Sequence, residues 1–140
     1  MPLGRGDQGD ARGLRTVEEK SPAGPVDLLI FSCSGGSNVG QISNQAAVDL
    51  ARDGKGRLFC LAGIGGHVKA ITEATKAGEV LVAIDGCPVH CAKKTLEHAG
   101  FSPQVHVVVT ELGVEKAHNL EVDSAATRSV AEMVEKELEG

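Results

Sequence analysis

Short apolar runs and segments of helical periodicity alternate along this chain four times. The apolar runs, each about the length of a buried strand, span residues 26–31, 57–61, 80–84 and 105–109. After each run, apolar residues recur at intervals of three or four, which is typical of a helix with one buried face. Parallel strands need long crossover connections, and helices are the usual ones. The alternation therefore predicts a parallel sheet with helices packed on its faces.

The four expected helices are defined by their apolar stripes. These stripes are Ile42, Ala46 and Leu50; Val68, Ile71 and Thr75; Val89, Ala92, Leu96 and Ala99; and Val130, Met133, Val134 and Leu138. Gly54, Gly78 and Gly100 follow the first three stripes and predict where those helices end. Because crossover connections are right-handed, few strand orders remain. We expect an α/β three-layer sandwich with a four-stranded parallel sheet in the flavodoxin-like order 2-1-3-4.

The first 24 residues differ in texture from the rest of the chain. Residues 1–24 contain few large apolar side chains and many glycines and charged groups. Such a segment cannot bury enough apolar surface to offset the entropy of ordering it. We therefore expect a disordered N-terminal tail over residues 1–24 and a single α/β domain over residues 25–140, since 140 residues suit one core.

Composition argues against nucleic-acid and membrane partners. Aromatic residues make up 2% of the chain and its formal net charge is −5 at pH 7, so it lacks stacking rings and repels phosphate groups. No apolar run is long enough to cross a bilayer, and the first residues lack the apolar stretch of a signal peptide. We expect a cytoplasmic protein, and the sequence identifies no protein partner.

All four cysteines fall near the carboxyl ends of expected strands. Cys33 follows the first apolar run, and Cys60 lies at or near the end of the second. Cys87 and Cys91 follow the third. In the order 2-1-3-4 these three strands are neighbours about 4.8 Å apart, so their ends would bring the four thiols together. In a cytoplasmic chain such cysteines point to metal binding or reactivity rather than disulfides. Four thiolates would complete a closed, tetrahedral zinc site.

The Cys87 and Cys91 pair has a further argument. Pro88 is best tolerated in the first turn of a helix, which would place Cys87 at the cap and Cys91 one turn further along the same face. Both sulfurs would then lie at the positive end of a helix, where the thiolate is favoured. Asp85, which precedes a glycine, is expected to form the turn before this helix. Alternatively, its carboxylate could cap nearby amides or accept hydrogen bonds near the metal. Cys60, within an apolar run, could instead be a core thiol.

These motifs resemble the DGC-domain family, small prokaryotic proteins named for the tripeptide that stands here as Asp85-Gly86-Cys87. The similar segment runs from about residue 28 to residue 115. The matching motifs are residues 33–40, Cys60 with the Gly-rich loop after it, and residues 87–91. The family is described as having four zinc-binding cysteines. The resemblance implies that role for Cys33, Cys60, Cys87 and Cys91, and hence a zinc-binding domain over residues 25–140. It implies no particular biological role.

Other chemistries remain open for the cysteines. The loop at residues 33–38 has the layout of a phosphate-binding thiol, so Cys33 could serve a thiol-dependent enzyme or a phosphoryl carrier. A phosphatase would need an arginine to clamp the phosphate where Val39 stands. Four cysteinates could also hold an iron–sulfur cluster, although these are spread along the chain. A zinc site with three cysteines and an open fourth position is a further alternative.

The histidines contribute less to the predicted site. His67 is expected to begin the second helix near Cys60, and it is the reserve ligand if one thiol is free. His90 should project away from its neighbour Cys91 on the third helix and face either solvent or the surroundings of the metal ligands. Surface positions are expected for His98, His106 and His118.

Overall fold

The structure, a computed structural model, describes residues 27–140. Within this range the elements follow one another as β1 Leu28–Ser32, α1 Asn38–Arg52, β2 Arg57–Leu58, α2 Leu61–Gly65, α3 Lys69–Lys76, β3 Val80–Asp85, α4 Cys91–His98, β4 Val105–Val108 and α5 Ser124–Glu139. A 3₁₀ helix, Val109–Leu112, follows β4 directly. The tail expected at residues 1–24 lies outside the described residues.

The four strands form one parallel sheet in the order β2-β1-β3-β4. The central strands β1 and β3 pair along the whole of β1, from Leu28 opposite Val80 to Ser32 opposite Ile84. By contrast, β2 pairs with β1 at only two positions, Arg57 and Leu58. The α/β class, the parallel sheet and the order 2-1-3-4 expected from the sequence are therefore confirmed.

Helices cover both faces of the sheet, because alternate strand residues point to opposite sides. On one face Ile30, Val82 and Ile84 join the buried residues of α1 and α5. On the other face Leu29 and Phe31 join buried residues of α2 and α4. The fold therefore has two apolar clusters separated by the sheet, which makes it the expected three-layer sandwich.

The longest helices match their predicted stripes. In α1 the stripe residues Ile42, Ala46 and Leu50 are all buried. The helix begins where the Ser37 side chain accepts a hydrogen bond from the Gly40 N–H, which satisfies one of the free amides of its first turn.

No helix within residues 27–140 combines the length and the apolar content needed to cross a membrane.

The segment from β2 to α2 differs from the strand and Gly-rich loop expected there. The strand predicted for residues 57–61 ends at Leu58, and the Gly-rich stretch after it forms α2 instead of a loop. Cys60 caps this helix by accepting a hydrogen bond from the Gly63 N–H. A Cβ atom at Gly63 would lie 2.7 Å from Ile71 Cγ1, so a glycine is needed for α2 to lie against α3. The glycines thus allow close helix packing here, rather than an open turn.

Gly86, just after β3, allows a close backbone contact that ties the sheet to α1. A Cβ atom there would lie 2.8 Å from Gly40 N and 2.8 Å from the Val39 carbonyl carbon. These obstacles are backbone atoms, so α1 would have to shift. We expect Gly86→Ala to destabilise the protein by about 1–3 kcal/mol, as overpacking does, and to lower the melting temperature measured by circular dichroism.

Gly36→Ala is the matched control, because no atom lies within 4 Å of a Cβ placed at Gly36. This control variant should melt close to wild type. Equal melting temperatures for the two alanine variants would contradict the proposed contact.

Candidate functional site

The carboxyl ends of β2, β1 and β3 carry the four cysteines. Cys33 follows β1 directly, and Cys60 follows β2 after one intervening residue. Cys87 lies in the turn after β3, and Cys91 is the first residue of α4. Because these strands are adjacent and parallel, the four residues share one edge of the sheet, which we call the thiol edge. Open sheets of this class bind their ligands at this edge.

The backbone at Cys33 extends the pairing of β1 with β3. The Cys33 N–H donates a hydrogen bond of 2.9 Å to the carbonyl of Ile84. Its own carbonyl accepts a hydrogen bond from the Ser43 hydroxyl on α1. Cys33 is therefore fixed at the sheet end by contacts to both β3 and α1.

Burial sets the chemistry of the Cys33 thiol. Burial raises the pKa of Cys33 above its ordinary value, and the charges of Asp85 and Cys91 raise it further. The backbone N–H groups of Gly35 and Gly86 face the sulfur and act in the opposite direction. Because the net change is upward, the metal-free thiol stays protonated at neutral pH. An activated nucleophile would show the opposite shift.

Donor groups also face two other sulfurs of the thiol edge. Cys60 Sγ accepts a hydrogen bond of 3.2 Å from the Gly63 N–H. Lys116 Nζ lies 3.5 Å from Cys87 Sγ. With the two amides at Cys33, N–H groups face three of the four sulfurs. N–H groups in these positions would offset part of the negative charge that the sulfurs carry when they bind a metal.

The turn that carries Cys87 and Cys91 differs from the prediction. α4 begins at Cys91, whereas Pro88 lies in a turn closed by a 3.1 Å hydrogen bond from the His90 N–H to the Cys87 carbonyl. His90 has φ 60°, in the left-handed region, and is the N-cap residue. The placement of Cys87 at the helix cap with Cys91 one turn further is therefore wrong. The turn at residues 87–90 comes before the helix, which therefore starts only at Cys91.

Asp85, the last residue of β3, explains why α4 starts where it does. Its carboxylate accepts hydrogen bonds from the Ala92 N–H at 2.6 Å and the Lys93 N–H at 3.1 Å. These are free amides of the first helical turn, so Asp85 caps α4 from the end of a strand. The capping role considered from the sequence is confirmed.

His106 lies closer to this region than expected, and His90 packs against it. His106 on β4 was placed at the surface, but its side chain is only 18% exposed and its Nε2 lies 2.9 Å from Asp85 Oδ2. The His90 ring packs edge-on against the His106 ring, with centroids 4.8 Å apart. The available signal was that His106 stands inside an apolar run, and that the neighbouring strand in the predicted order, β3, ends in Asp85.

His98 and His118 are exposed, as expected, whereas His67 differs from its prediction. It lies between α2 and α3 with φ 57° and does not begin a helix. Its ring centroid is 5.4 Å from that of His98. The structure pairs these two imidazoles, and its role as a reserve ligand stays a prediction.

A loop at residues 113–123 borders the thiol edge and is tied to α1 by Asn38. The Asn38 side chain donates to the Glu115 carbonyl at 2.9 Å and accepts from the Ala117 N–H at 2.6 Å. These two hydrogen bonds flank Lys116 and hold it beside Cys87. Asn38 is thus a second residue that the sequence did not single out.

As the side chains stand, no three His, Cys, Asp or Glu within residues 27–140 form a group that could hold a metal ion. The donor chemistry nevertheless suits zinc, which binds thiolates and tolerates four of them when nearby N–H groups offset the charge. Cys60 and Cys91 are exposed, so their side chains can turn without opening the core. The residues present therefore fit zinc in kind, and sharing one ion requires them to reorient.

The raised pKa of Cys33 gives a testable difference between thiols. In reduced, metal-free protein at neutral pH, iodoacetamide should modify Cys33 more slowly than the exposed Cys91, because Cys33 is partly buried and protonated. The Cys33 rate should keep rising beyond the pH at which an ordinary thiol is fully ionised. Mass spectrometry of the alkylated peptides measures both rates.

Unfolded protein in urea is the control, since both cysteines should then react alike. Faster modification of Cys33 than of Cys91 at neutral pH would contradict this assignment and favour the activated-thiol alternative.

Comparison with known proteins identifies the family. The family model of the DGC domain matches residues 29–134, a span that includes all four cysteines. The chain is also 37% identical over 100 residues to the "Anaerobic and virulence modulator AnvM" of Pseudomonas aeruginosa strain PAO1, covering 71% of this chain and 76% of that protein. No solved structure matches the chain. The resemblance carried by the cysteine motifs is thus confirmed, and the chain belongs to the DGC-domain family.

Proposed function

We propose that this protein is a small regulatory protein that binds one zinc ion through Cys33, Cys60, Cys87 and Cys91. The observation that carries the proposal is the gathering of all four cysteines at three adjacent strand ends, where N–H groups face three of the sulfurs. Four thiolates would make the zinc site closed, and such sites stabilise structure rather than catalyse.

The exposure of the cysteines supports a ligand role over a packing role. Structural cysteines that fill a core are among the most buried residues in proteins. Here Cys60 and Cys91 are exposed, and Cys33 and Cys87 are only partly buried. The possibility that Cys60 is a core thiol is therefore not supported. Exposed thiols at the ligand-binding edge of a sheet are better explained by a shared ligand.

A zinc ion would link chain segments that are far apart in sequence. The loops after β1, β2 and β3 would be closed through the metal, so that metal binding and local folding are coupled. Lys116, beside Cys87, would offset part of the negative charge of four thiolates.

The regulatory part of the proposal comes from the relative. The Pseudomonas protein is named an "anaerobic and virulence modulator". The raised pKa of Cys33 is consistent with a similar role here, because it argues against an activated nucleophile at that position. We place the protein in the cytoplasm, where thiols stay reduced, and assign it neither a nucleic-acid nor a membrane partner.

Metal analysis tests this function. Protein purified without added metal should contain about one zinc per chain by mass spectrometry, as a single four-cysteine site requires. Chelation should release four reactive thiols together. Cys87→Ser and Cys91→Ser should each lose most of the zinc and lower the melting temperature, because each removes a ligand and frees its loop.

Val89→Ala is the matched control, since Val89 lies between these cysteines and the residue is 53% exposed. That variant should keep its zinc. If the purified protein instead contains iron and absorbs visible light, the same four cysteines hold an iron–sulfur cluster rather than zinc. Metal-free protein in which each thiol reacts independently would overturn the proposed function.

A further inference from the structure

We propose that His106 and Asp85 are positioning residues of the thiol edge. His106, on β4, holds the Asp85 carboxylate in place, and Asp85 in turn sets where α4 begins and where Cys91 and Cys87 lie. The effect of this pair on zinc affinity rests on the proposed function, whereas its effect on the start of α4 can be measured without metal.

The dependence of α4 on Asp85 follows from how its first turn is satisfied. The N-cap residue, His90, makes no side-chain capping hydrogen bond. Both amides that Asp85 accepts from belong to the residues immediately after Cys91. The Asp85 side chain is 1% exposed, so water cannot take over this role. Without Asp85 in its present orientation, the helix would have no cap from the described residues at those two amides.

His106 fixes that orientation. Asp85 Oδ1 accepts from one amide, and Oδ2 is shared between the Lys93 N–H and His106 Nε2. An ionised carboxylate can only accept hydrogen bonds, so in the contact between Asp85 and His106 the proton lies on His106 Nε2. The imidazole therefore donates to Asp85 from the neighbouring strand. Its removal would leave one oxygen of a buried carboxylate short of a donor.

A second contact connects the same histidine to the turn. The His106 ring packs against the ring of His90, which directly precedes Cys91. β4, which carries no cysteine, thus supports the Cys87–Cys91 turn through a hydrogen bond and through ring packing. In metal sites, partners that hold the ligands in place typically change metal affinity by 10–100-fold when removed.

The test compares two substitutions of one side chain. Gln at position 106 keeps an N–H donor near the place of Nε2, whereas Leu removes it. We expect His106→Leu to lower zinc affinity by about tenfold or more, measured by competition with a chromophoric chelator. His106→Gln should stay within about threefold of wild type, since the donor to Asp85 is retained.

Hydrogen exchange of the metal-free protein provides the second measurement. In His106→Leu the amides of Ala92 and Lys93 should exchange about tenfold faster or more, because their acceptor is no longer held. In His106→Gln they should stay protected. Buried amides of α1, such as that of Ala46, should be unchanged in both variants.

Two further variants guard against simpler explanations. Val134→Ala removes volume from the α1–α5 cluster and should lower stability without changing zinc affinity or the exchange of Ala92 and Lys93. If His106→Leu does not fold, Asp85→Asn takes its place, because it keeps the size of the side chain but replaces one acceptor oxygen with a donor group.

The outcomes separate the two proposals. Wild-type protein that binds no zinc overturns the proposed function, and amide exchange then still decides the positioning role. Zinc binding by wild type with unchanged affinity and exchange in His106→Leu overturns the positioning role alone. Equal losses in the Leu and Gln variants would also overturn it, since the hydrogen-bond donor would then not be what matters.

Discussion

The parallel pairing of β1 with β3 is the interaction on which the rest of this structure depends. Five consecutive residue pairs join the two strands, and the Cys33 N–H continues the ladder to Ile84 beyond the end of β1. The pairing brings the loop after β1 beside the turn after β3. Gly86 then lets α1 approach that turn at backbone contact distance. Three of the four cysteines owe their common location to this single arrangement, since Cys87 and Cys91 lie in or directly after the same turn.

The buried carboxylate of Asp85 lies at the end of this pairing, and the fold supplies the hydrogen-bond donors that it needs. A carboxylate removed from water destabilises a protein unless donors surround it. Asp85 receives two amides and one imidazole, each from an element other than its own strand. Satisfying this one charge thus joins β3, α4 and β4. The thiol edge therefore lies beside a buried carboxylate whose hydrogen bonds join three elements, although two of its four cysteines are exposed.

The sheet and its order could be predicted from the sequence because apolar runs of strand length and right-handed crossovers leave few alternatives. The family could also be recognised, since its motifs are contiguous. Local starts of helices were harder to predict, although capping was one of the roles that the sequence suggested for Asp85. α4 takes its cap from Asp85, a residue outside the helix and its flanking turn. Likewise, α2 packs closely against α3 because Gly63 leaves room for Ile71, a tertiary contact that a Gly-rich stretch does not reveal. His106 was missed for the same reason, because its partner lies on another strand.

The weak attachment of β2 distinguishes one sulfur from the others. Strand β2 contributes two residue pairs at the edge of the sheet, whereas β1 and β3 form its centre. Such short edge strands protect a protein from joining its sheet to that of a neighbour. They are also the first parts of a sheet to open in local fluctuations. Cys60 follows this strand, so pairing within the sheet constrains its position least of the four cysteines. In the proposed zinc site, Cys60 is therefore the ligand that local opening of the sheet edge would detach first.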